Sequence, residues 1–173
     1  MLLLLNRHAH AGARDPAQWP DDHDRPLTEK GRKVQRDVAR FLRKHDLTPH
    51  LVLTSPWARA VQTAEILVEV ARVGAPPVPC EPLAAEPDLI RLQDFVGNQP
   101  GKAIVAMVGH SPWMEGLASL LLVGARADIR IDFPKSGVMG IQLERLEPGA
   151  GELRLFLRPG LVARKKRGPQ SSV

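Results

Sequence analysis

Residues 103–110 read Ala-Ile-Val-Ala-Met-Val-Gly-His, six apolar residues that end in a glycine and a histidine. An uninterrupted apolar run is typical of a strand buried on both faces, as in a parallel sheet covered by helices. Shorter runs of the same kind, residues 2–5 and 51–53, predict two parallel companions of this strand. The three runs together indicate an α/β fold.

Helical segments alternate with these strands. Near Thr28 a helix is predicted to begin, because Val34, Val38 and Leu42 share one face and charged residues fill the other. Three more helices are expected after residue 56 and up to about 74, around residues 89–96, and from residue 112 to about 122. Ser111 is expected to cap the last one.

The C-terminal third changes to alternating apolar and polar residues. Three segments show this pattern, residues 128–133, 140–144 and 153–157, and they predict β-structure at the edge of the sheet. With the alternating strands and helices before them, they predict a three-layer α/β/α sandwich around a mostly parallel sheet.

The 173-residue length fits a single domain, which we place at residues 1–158, followed by a basic tail at 159–173 that we expect to be flexible. Five of the 24 Lys and Arg residues lie in 158–173, which holds no acid, so residues 1–157 balance 19 cations against 19 acids. A solvated tail is favoured over one that contacts nucleic acid or a membrane.

Cys80 is the single cysteine, which excludes an internal disulfide and a cysteine-based zinc site. The apolar run at the N-terminus stops after five residues, at Asn6, too short for a signal sequence or a membrane span. We therefore expect a cytoplasmic protein without membrane contact.

Polar residues follow each predicted strand, where open α/β sheets bind their ligands. Arg7 and His8 follow the first strand, Arg59 lies shortly after the second, and His110 ends the third. Guanidinium groups match phosphate oxygens, and a neutral histidine nitrogen can attack phosphorus. These residue types suffice for phosphoryl transfer without a metal or cofactor.

Four separated motifs carry a more specific signal: Arg-His-Ala at 7–9, Arg-Pro-Leu-Thr-Glu-Lys-Gly at 25–31, Thr-Ser-Pro with Arg59 and Gln-Thr at 54–63, and Val-Gly-His at 108–110. Together they resemble the histidine phosphatase superfamily, and within it the compact SixA-like phosphohistidine phosphatases. The resemblance implies a phosphoglycerate mutase-like fold. The interval of about thirty residues from Arg72 to Lys102 leaves no room for the cap domain of larger members.

The resemblance also implies roles for individual residues. His8 is the nucleophile that becomes phosphorylated, while Arg7, Arg59 and His110 bind and stabilise the transferring phosphoryl group. Glu86 stands where larger members carry their proton-donating acid; a plain loop carboxylate is the alternative. Ala9 stands in place of the usual glycine, a substitution common in the SixA-like branch. Asn6 and His10, which are less usual, and Ser111, where an acid often follows the histidine, leave the choice of substrate open.

Arg25, His10 and Ser111 are further candidates for substrate contact. Lys135 is another, although a solvated position is an alternative for it and for Arg25. His8, His10 and His110 could instead bind zinc, but no cysteine or acid completes such a set and the arginines would repel a cation. Ser55 is expected to supply a turn and a local hydrogen bond rather than a nucleophile, and Trp57 and Trp113 are expected to pack beside the site.

The favoured function is a metal-independent phosphatase that acts through phospho-His8, with a phosphohistidine-bearing signalling protein as its partner. Two alternatives remain open: a phosphomonoesterase for a sugar or nucleotide phosphate, and a binding module for phosphorylated ligands that has lost turnover. If His8 is the nucleophile, we expect activity to fall at low pH as its ring becomes protonated.

Overall fold

The computed structural model describes residues 1–124 and 129–162. Six strands are present there: β1 (Leu2–Arg7), β2 (Leu51–Thr54), β3 (Val78–Pro79), β4 (Ile104–Gly109), β5 (Val138–Gln142) and β6 (Glu152–Leu157). Four α-helices accompany them: α1 (Glu29–Lys44), α2 (Ala58–Ala71), α3 (Leu89–Val96) and α4 (Trp113–Val123). Short 3₁₀ turns cover Asp22–Asp24, Glu81–Ala84 and Pro159–Leu161.

All six strands form one sheet in the order β3-β2-β4-β1-β5-β6. The first four of these run parallel, whereas β5 is antiparallel to β1, and β6 to β5. The mostly parallel sheet is therefore confirmed, with its β-rich addition at one edge. β4 lies between β2 and β1 in the middle of the sheet, which explains why its sequence is apolar on both faces.

Alternate residues of β1 show how the sheet separates two cores. Leu3 and Leu5 face the side covered by α3 and α4, where Leu92 and Leu117 pack. Leu4 faces the opposite side and packs with residues of α1 and α2, including Val38, Leu42 and Leu67. Helices thus cover both faces, and the predicted three-layer sandwich is confirmed.

One predicted strand is wrong. Of the segment 128–133, Asp128 lies outside the described residues, and residues 129–133 form no strand. The sheet position beside β5 is taken by β6, and none of the six strands in the described ranges pairs with this segment. Its alternation has another cause: Ile131 and Phe133 pack against the core while their neighbours face outward.

Two strand boundaries and one additional strand also differ from the expectations. β1 extends to Arg7, two residues past the apolar run, and β5 begins at Val138 rather than Gly140. β3 was not predicted, because it is only two residues long and one of them is Pro79, which has no N–H to donate to a ladder.

The beginning of α4 differs from the prediction. The helix starts at Trp113, and Pro112 precedes it without any side-chain cap. Ser111 is not the cap, because its hydroxyl donates to the carboxylate of Glu115 rather than accepting from a backbone N–H.

The segment between β3 and β4 contains α3, whose Leu92 and Val96 are buried in the core beside the sheet. Near the C-terminus, Val162 packs against the core on the α1 side. The rest of the basic tail, residues 163–173, lies outside the described residues. Across the described ranges, none of the helices has the length and apolar character required to cross a bilayer.

Candidate active site

Arg7 and His8 stand at the carboxyl end of β1, directly beside the end of β4. Arg7 pairs in register with Gly109, and the backbone N–H of His8 donates to the Gly109 carbonyl at 2.9 Å. Because β1 and β4 are parallel neighbours, their following residues, His8 and His110, meet at the same edge, and their ring centroids are 5.1 Å apart. The predicted convergence of the two histidines is therefore present.

A hydrogen bond to the backbone selects the reactive nitrogen of His8. Its Nδ1 lies 2.7 Å from the carbonyl oxygen of Ala9. A carbonyl only accepts, so Nδ1 carries the hydrogen, and the lone pair of the neutral ring is on Nε2. This is the arrangement that a histidine nucleophile requires.

Thr63 connects the segment after His8 to helix α2. Its hydroxyl accepts from the backbone N–H of Ala9 at 3.0 Å and donates to the carbonyl of Arg59 at 2.6 Å. The threonine is completely buried, so both bonds are protected from water. The Gln-Thr pair of the sequence motif therefore has a structural reason, because Thr63 fixes the distance between His8 and Arg59.

Ser55 and Trp57 position His110. The Nε2 atom of His110 lies 2.8 Å from the Ser55 hydroxyl, and the indole of Trp57 lies 4.3 Å from the imidazole centroid to centroid. The guanidinium of Arg59 lies over the same indole at 4.4 Å. Ser55 was expected to make a local hydrogen bond, and the structure shows that its partner is Nε2 of His110, which leaves Nδ1 available.

Within the described part of the chain, three buried nitrogens of this cluster have no hydrogen-bond partner: the donors Nε of Arg7 and Nε of Arg59, and Nδ1 of His110, which donates or accepts according to the tautomer of the ring. An unsatisfied buried polar group costs about 1–3 kcal/mol, so three of them close together indicate a ligand with several acceptor oxygens. A phosphoryl group has three such oxygens. We call Arg7, His8, Arg59 and His110 the four-residue cluster.

Burial and nearby positive charge keep both histidines neutral. Burial is the main cause that lowers the pKa of His8 to about 3, with contributions from Arg59, Arg7 and Lys135. Burial likewise lowers the pKa of His110 to about 2, helped by His8 and Arg59. His8 therefore retains its lone pair across the physiological range, and the loss of activity expected on protonation belongs well below pH 6.5.

Two glycines allow the close approaches that build this edge. A Cβ on Gly31, in the first turn of α1, would collide with the backbone carbonyl of His10. A Cβ on Gly109 would lie 2.6 Å from the methyl carbon of Met114 and 3.3 Å from the Leu83 carbonyl. The glycine of the 25–31 motif is thus explained by the packing of α1 onto the segment that carries the nucleophile.

The other predicted substrate contacts occupy different environments. Arg25 is bound by the Asp22 carboxylate and by the Gly12 carbonyl. His10 is exposed, with Nδ1 3.2 Å from the Thr28 hydroxyl. The hydroxyl of Ser111 is engaged by Glu115, as described above.

Glu86 follows the turn Glu81–Ala84 and lines a cavity of about 1030 Å³ together with Met1 and Gln93. Met1 lies at the amino end of β1, whereas His8 follows its carboxyl end. The role of Glu86 as proton donor stays a prediction.

Sequence reasoning named Lys135 but missed the backbone contacts that its loop, between Phe133 and Gly137, makes with the β1 end. The Phe133 carbonyl accepts from Nη1 of Arg7 at 2.5 Å, and the Ser136 N–H donates to the carbonyls of Arg7 and His8 at 3.1 and 3.2 Å. Ser136 adopts a φ of 59°, which is uncommon for a residue with a side chain. A Pro-Lys-Ser-Gly sequence indicates a turn, but nothing in it points to Arg7.

Sequence reasoning also missed Asp22, which lies in a 3₁₀ turn before the 25–31 motif. Its Oδ2 is 3.2 Å from Nη2 of Arg59, and its backbone carbonyl accepts from Nη1 of Arg59 at 2.8 Å. The neighbouring His23 ring lies 4.4 Å from Trp57, on the indole that also contacts His110. The run Asp-Asp-His-Asp at 21–24 was the available signal.

For the alternative of a zinc site, the described ranges contain no group of three or more His, Cys, Asp or Glu residues arranged to hold a metal ion. His10 is turned toward Thr28, and the cations around His8 disfavour a second positive charge. The cluster fits an anion better than a cation.

Comparison with known proteins agrees with this geometry. Residues 3–86 match the family model of the histidine phosphatase superfamily (branch 1). An uncharacterized protein of Picosynechococcus sp. is 33% identical over 135 residues, which cover 77% of this chain and 81% of that protein.

Solved structures extend the similarity over nearly the whole chain. The protein histidine phosphatase SixA complexed with tungstate is 24% identical, with a TM-score of 0.76 over 93% of this chain and 99% of that one. The putative phosphohistidine phosphatase SixA from Agrobacterium tumefaciens is 25% identical, with a TM-score of 0.71 over 91% and 97%. The fold is therefore the phosphoglycerate mutase-like fold of SixA.

Proposed function

The chain belongs to the histidine phosphatase superfamily, and from this premise we propose that it is a phosphatase that needs no metal, forms phospho-His8 and acts on protein phosphohistidine. The observation that carries the proposal is a set of three buried nitrogens, two of them arginine donors, that lie beside the neutral ring of His8 and have no partner among the described residues. Arg7, Arg59 and His110 supply hydrogen bonds to the transferring phosphoryl group, and the two arginines also supply positive charge.

The proposed reaction has two steps. In the first, Nε2 of His8 attacks phosphorus, the bond from phosphorus to the substrate nitrogen breaks, and the leaving imidazole takes a proton. In the second, water attacks phosphorus, the bond to Nε2 breaks with its electron pair returning to His8, and inorganic phosphate leaves with the proton of water transferred to solvent. Glu86 or solvent is the proposed proton source for the first step.

Phosphohistidine is the proposed substrate for two reasons. Its leaving imidazole accepts a proton readily, so a strong enzyme acid is less necessary than for an ester. The segment between β3 and β4, where larger members of the superfamily carry a cap domain, contains α3, which packs beside the sheet through Leu92 and Val96. A site without a cap domain favours a substrate as bulky as a protein. We propose a phosphohistidine-bearing signalling protein of the cytoplasm as the partner.

The test measures release of inorganic phosphate, with EDTA present, from a phosphohistidine-bearing protein domain and from a panel of sugar, nucleotide and amino-acid phosphates. Wild type is compared with His8→Asn and with His45→Asn, a matched control on an exposed histidine at the end of α1. The proposal expects release from phosphohistidine that His8→Asn loses and His45→Asn keeps.

Other outcomes have defined meanings. Faster turnover of an ester would identify a small-molecule phosphomonoesterase, and phosphate binding without turnover of any substrate would identify a binding module. A His8→Asn variant with full activity would contradict the mechanism itself.

A further inference from the structure

The phosphoryl-binding side of the four-residue cluster contains a negative charge of its own. Asp22 places a carboxylate against Arg59, with Oδ2 3.2 Å from Nη2, although Arg59 is one of the groups expected to bind an anion. The same carboxylate accepts from Nε of Arg25 at 2.8 Å and from Nη2 at 3.3 Å. One internal anion therefore engages two cations that were predicted to bind substrate.

This contact differs from an ordinary surface ion pair. The side chains of Arg59 and Arg25 are only 5% and 14% exposed, and that of Asp22 is 28% exposed. Water screens the charges weakly in such surroundings, so a carboxylate reduces the attraction of Arg59 for a second anion. The hydrogen bonds from Arg25 hold the pKa of Asp22 below its usual range, so the carboxyl is charged.

Arg59 does not need the carboxylate to keep its position. Its Nη1 donates to the backbone carbonyl of Asp22 at 2.8 Å, and its guanidinium lies over the Trp57 indole at 4.4 Å. Thr63 anchors the backbone of Arg59 through its carbonyl. None of these contacts involves the Asp22 carboxylate, so we expect the main effect of its charge to be electrostatic.

We propose that Asp22 is a resident anion of the phosphoryl site, which lowers the affinity of the site for free phosphate and so promotes product release. Four cations, Arg7, Arg25, Arg59 and Lys135, act on one another or on His8 around this site. Without a counter-charge, such a group would hold a phosphate dianion tightly, and tight product binding slows turnover. The 3₁₀ turn that carries Asp22 contains no buried residue, and it is held at the site by the contacts of Asp22 with Arg25 and Arg59 and by the His23 ring on Trp57.

The inference rests on the proposed function only in taking Arg59 as a ligand of the phosphoryl group. Its test therefore measures binding of inorganic phosphate by calorimetry, which requires no turnover. Asp22→Asn keeps the shape of the side chain and the backbone carbonyl but removes the charge, and Asp22→Glu restores a carboxylate. Asp37→Asn is the matched control, because Asp37 forms an i,i+3 pair with Arg40 on α1 at 2.7 Å.

We expect Asp22→Asn to bind phosphate about tenfold more tightly than wild type, Asp22→Glu to return toward wild type, and Asp37→Asn to leave the affinity unchanged. In turnover assays, Asp22→Asn should show stronger product inhibition by phosphate, with a lower KM and a lower kcat. A structural role alone would weaken phosphate binding and raise KM, because Arg59 would lose its orientation.

Unchanged or weaker phosphate binding by Asp22→Asn overturns the inference. If the asparagine variant does not fold, as judged by circular dichroism, Asp22→Ser provides the same comparison. Absence of phosphate binding by every variant also overturns it, whereas phosphate release by wild type in the turnover assay would still support the proposed function.

Discussion

The two halves of the four-residue cluster are held in different ways. Arg7 and His8 are fixed mainly through the backbone, by the pairing of β1 with β4 and by the loop around Ser136. Arg59 and His110 depend on side chains, since Trp57 contacts both and Ser55 engages the imidazole. The position of the nucleophile therefore depends on the pairing of strands in the sheet. The positions of Arg59 and His110 can be altered by side-chain substitutions that leave the sheet intact.

The largest expected effect is on catalysis, and it distinguishes the nucleophile His8 from His110, which binds the phosphoryl group. His8→Asn should lower kcat/KM by at least about 10³-fold and leave no acid-labile phosphoenzyme, because the attacking nitrogen is gone. His110→Asn should lower kcat by about 10²-fold but still form the phosphoenzyme, because it removes one hydrogen bond to the phosphoryl group. Rapid quench with a phosphorus-labelled substrate measures both, and trapped phosphoenzyme in His8→Asn would contradict the assignment.

Lowering the pH should destabilise the fold through both histidines. An unfolded histidine binds a proton near pH 6.5, whereas folded His8 does so only near its pKa of about 3. Below pH 6.5 the unfolded chain therefore binds more protons, and the free energy of unfolding falls by at most about 1.4 kcal/mol per pH unit for each histidine.

Denaturant unfolding at pH 7.5 and pH 5.0 checks this expectation. Wild type should lose roughly 2–4 kcal/mol more than the double variant His8→Asn, His110→Asn, in which neither position can titrate. Equal losses in the two proteins would show that other groups control the acid sensitivity.

The third predicted effect is of moderate size and concerns the stability of the backbone around His8. Gly31→Ala should reduce the free energy of unfolding by about 2 kcal/mol or more, because the new Cβ strikes the backbone carbonyl of His10 and the main chain must move. The control is Gly116→Ala in α4, where the nearest atom is Cγ of Pro87 at 4.0 Å, so this change should add up to about 1 kcal/mol through helix propensity. Similar stabilities of the two variants would contradict the close approach.

The smallest predicted effect concerns the hydrogen bond between Ser55 and His110. Ser55→Ala should lower kcat by about tenfold and leave phosphoenzyme formation intact, because the imidazole loses the hydroxyl that is hydrogen-bonded to its Nε2 and helps to orient the ring. Thr48→Ala removes a hydroxyl that contacts the Ala71 carbonyl at 3.4 Å, and it should leave kcat unchanged. Steady-state kinetics on both variants decides, and a Ser55→Ala variant with normal kcat would show that Trp57 alone positions the ring.

The sequence predicted correctly those strands whose amino-acid pattern alone identifies them. The apolar runs predicted the central strands, because a buried parallel strand needs apolar side chains on both faces. The prediction failed for residues 129–133, whose alternation arises from Ile131 and Phe133 packing on the core without a partner strand. Whether a segment forms a strand depends on which other segment lies beside it in the sheet. The sequence of one segment does not give that information.

For the site, the sequence by itself determined that Arg7, His8, Arg59 and His110 would meet, because parallel strands bring their carboxyl ends to one edge. Only the tertiary structure decided how each group acts. The free nitrogen of His8 follows from the position of the Ala9 carbonyl, and the charge near Arg59 follows from Asp22, which is 37 residues away in sequence. Hydrogen-bond direction and charge screening depend on distances of a few ångströms between segments far apart in the chain, and these distances exist only after folding.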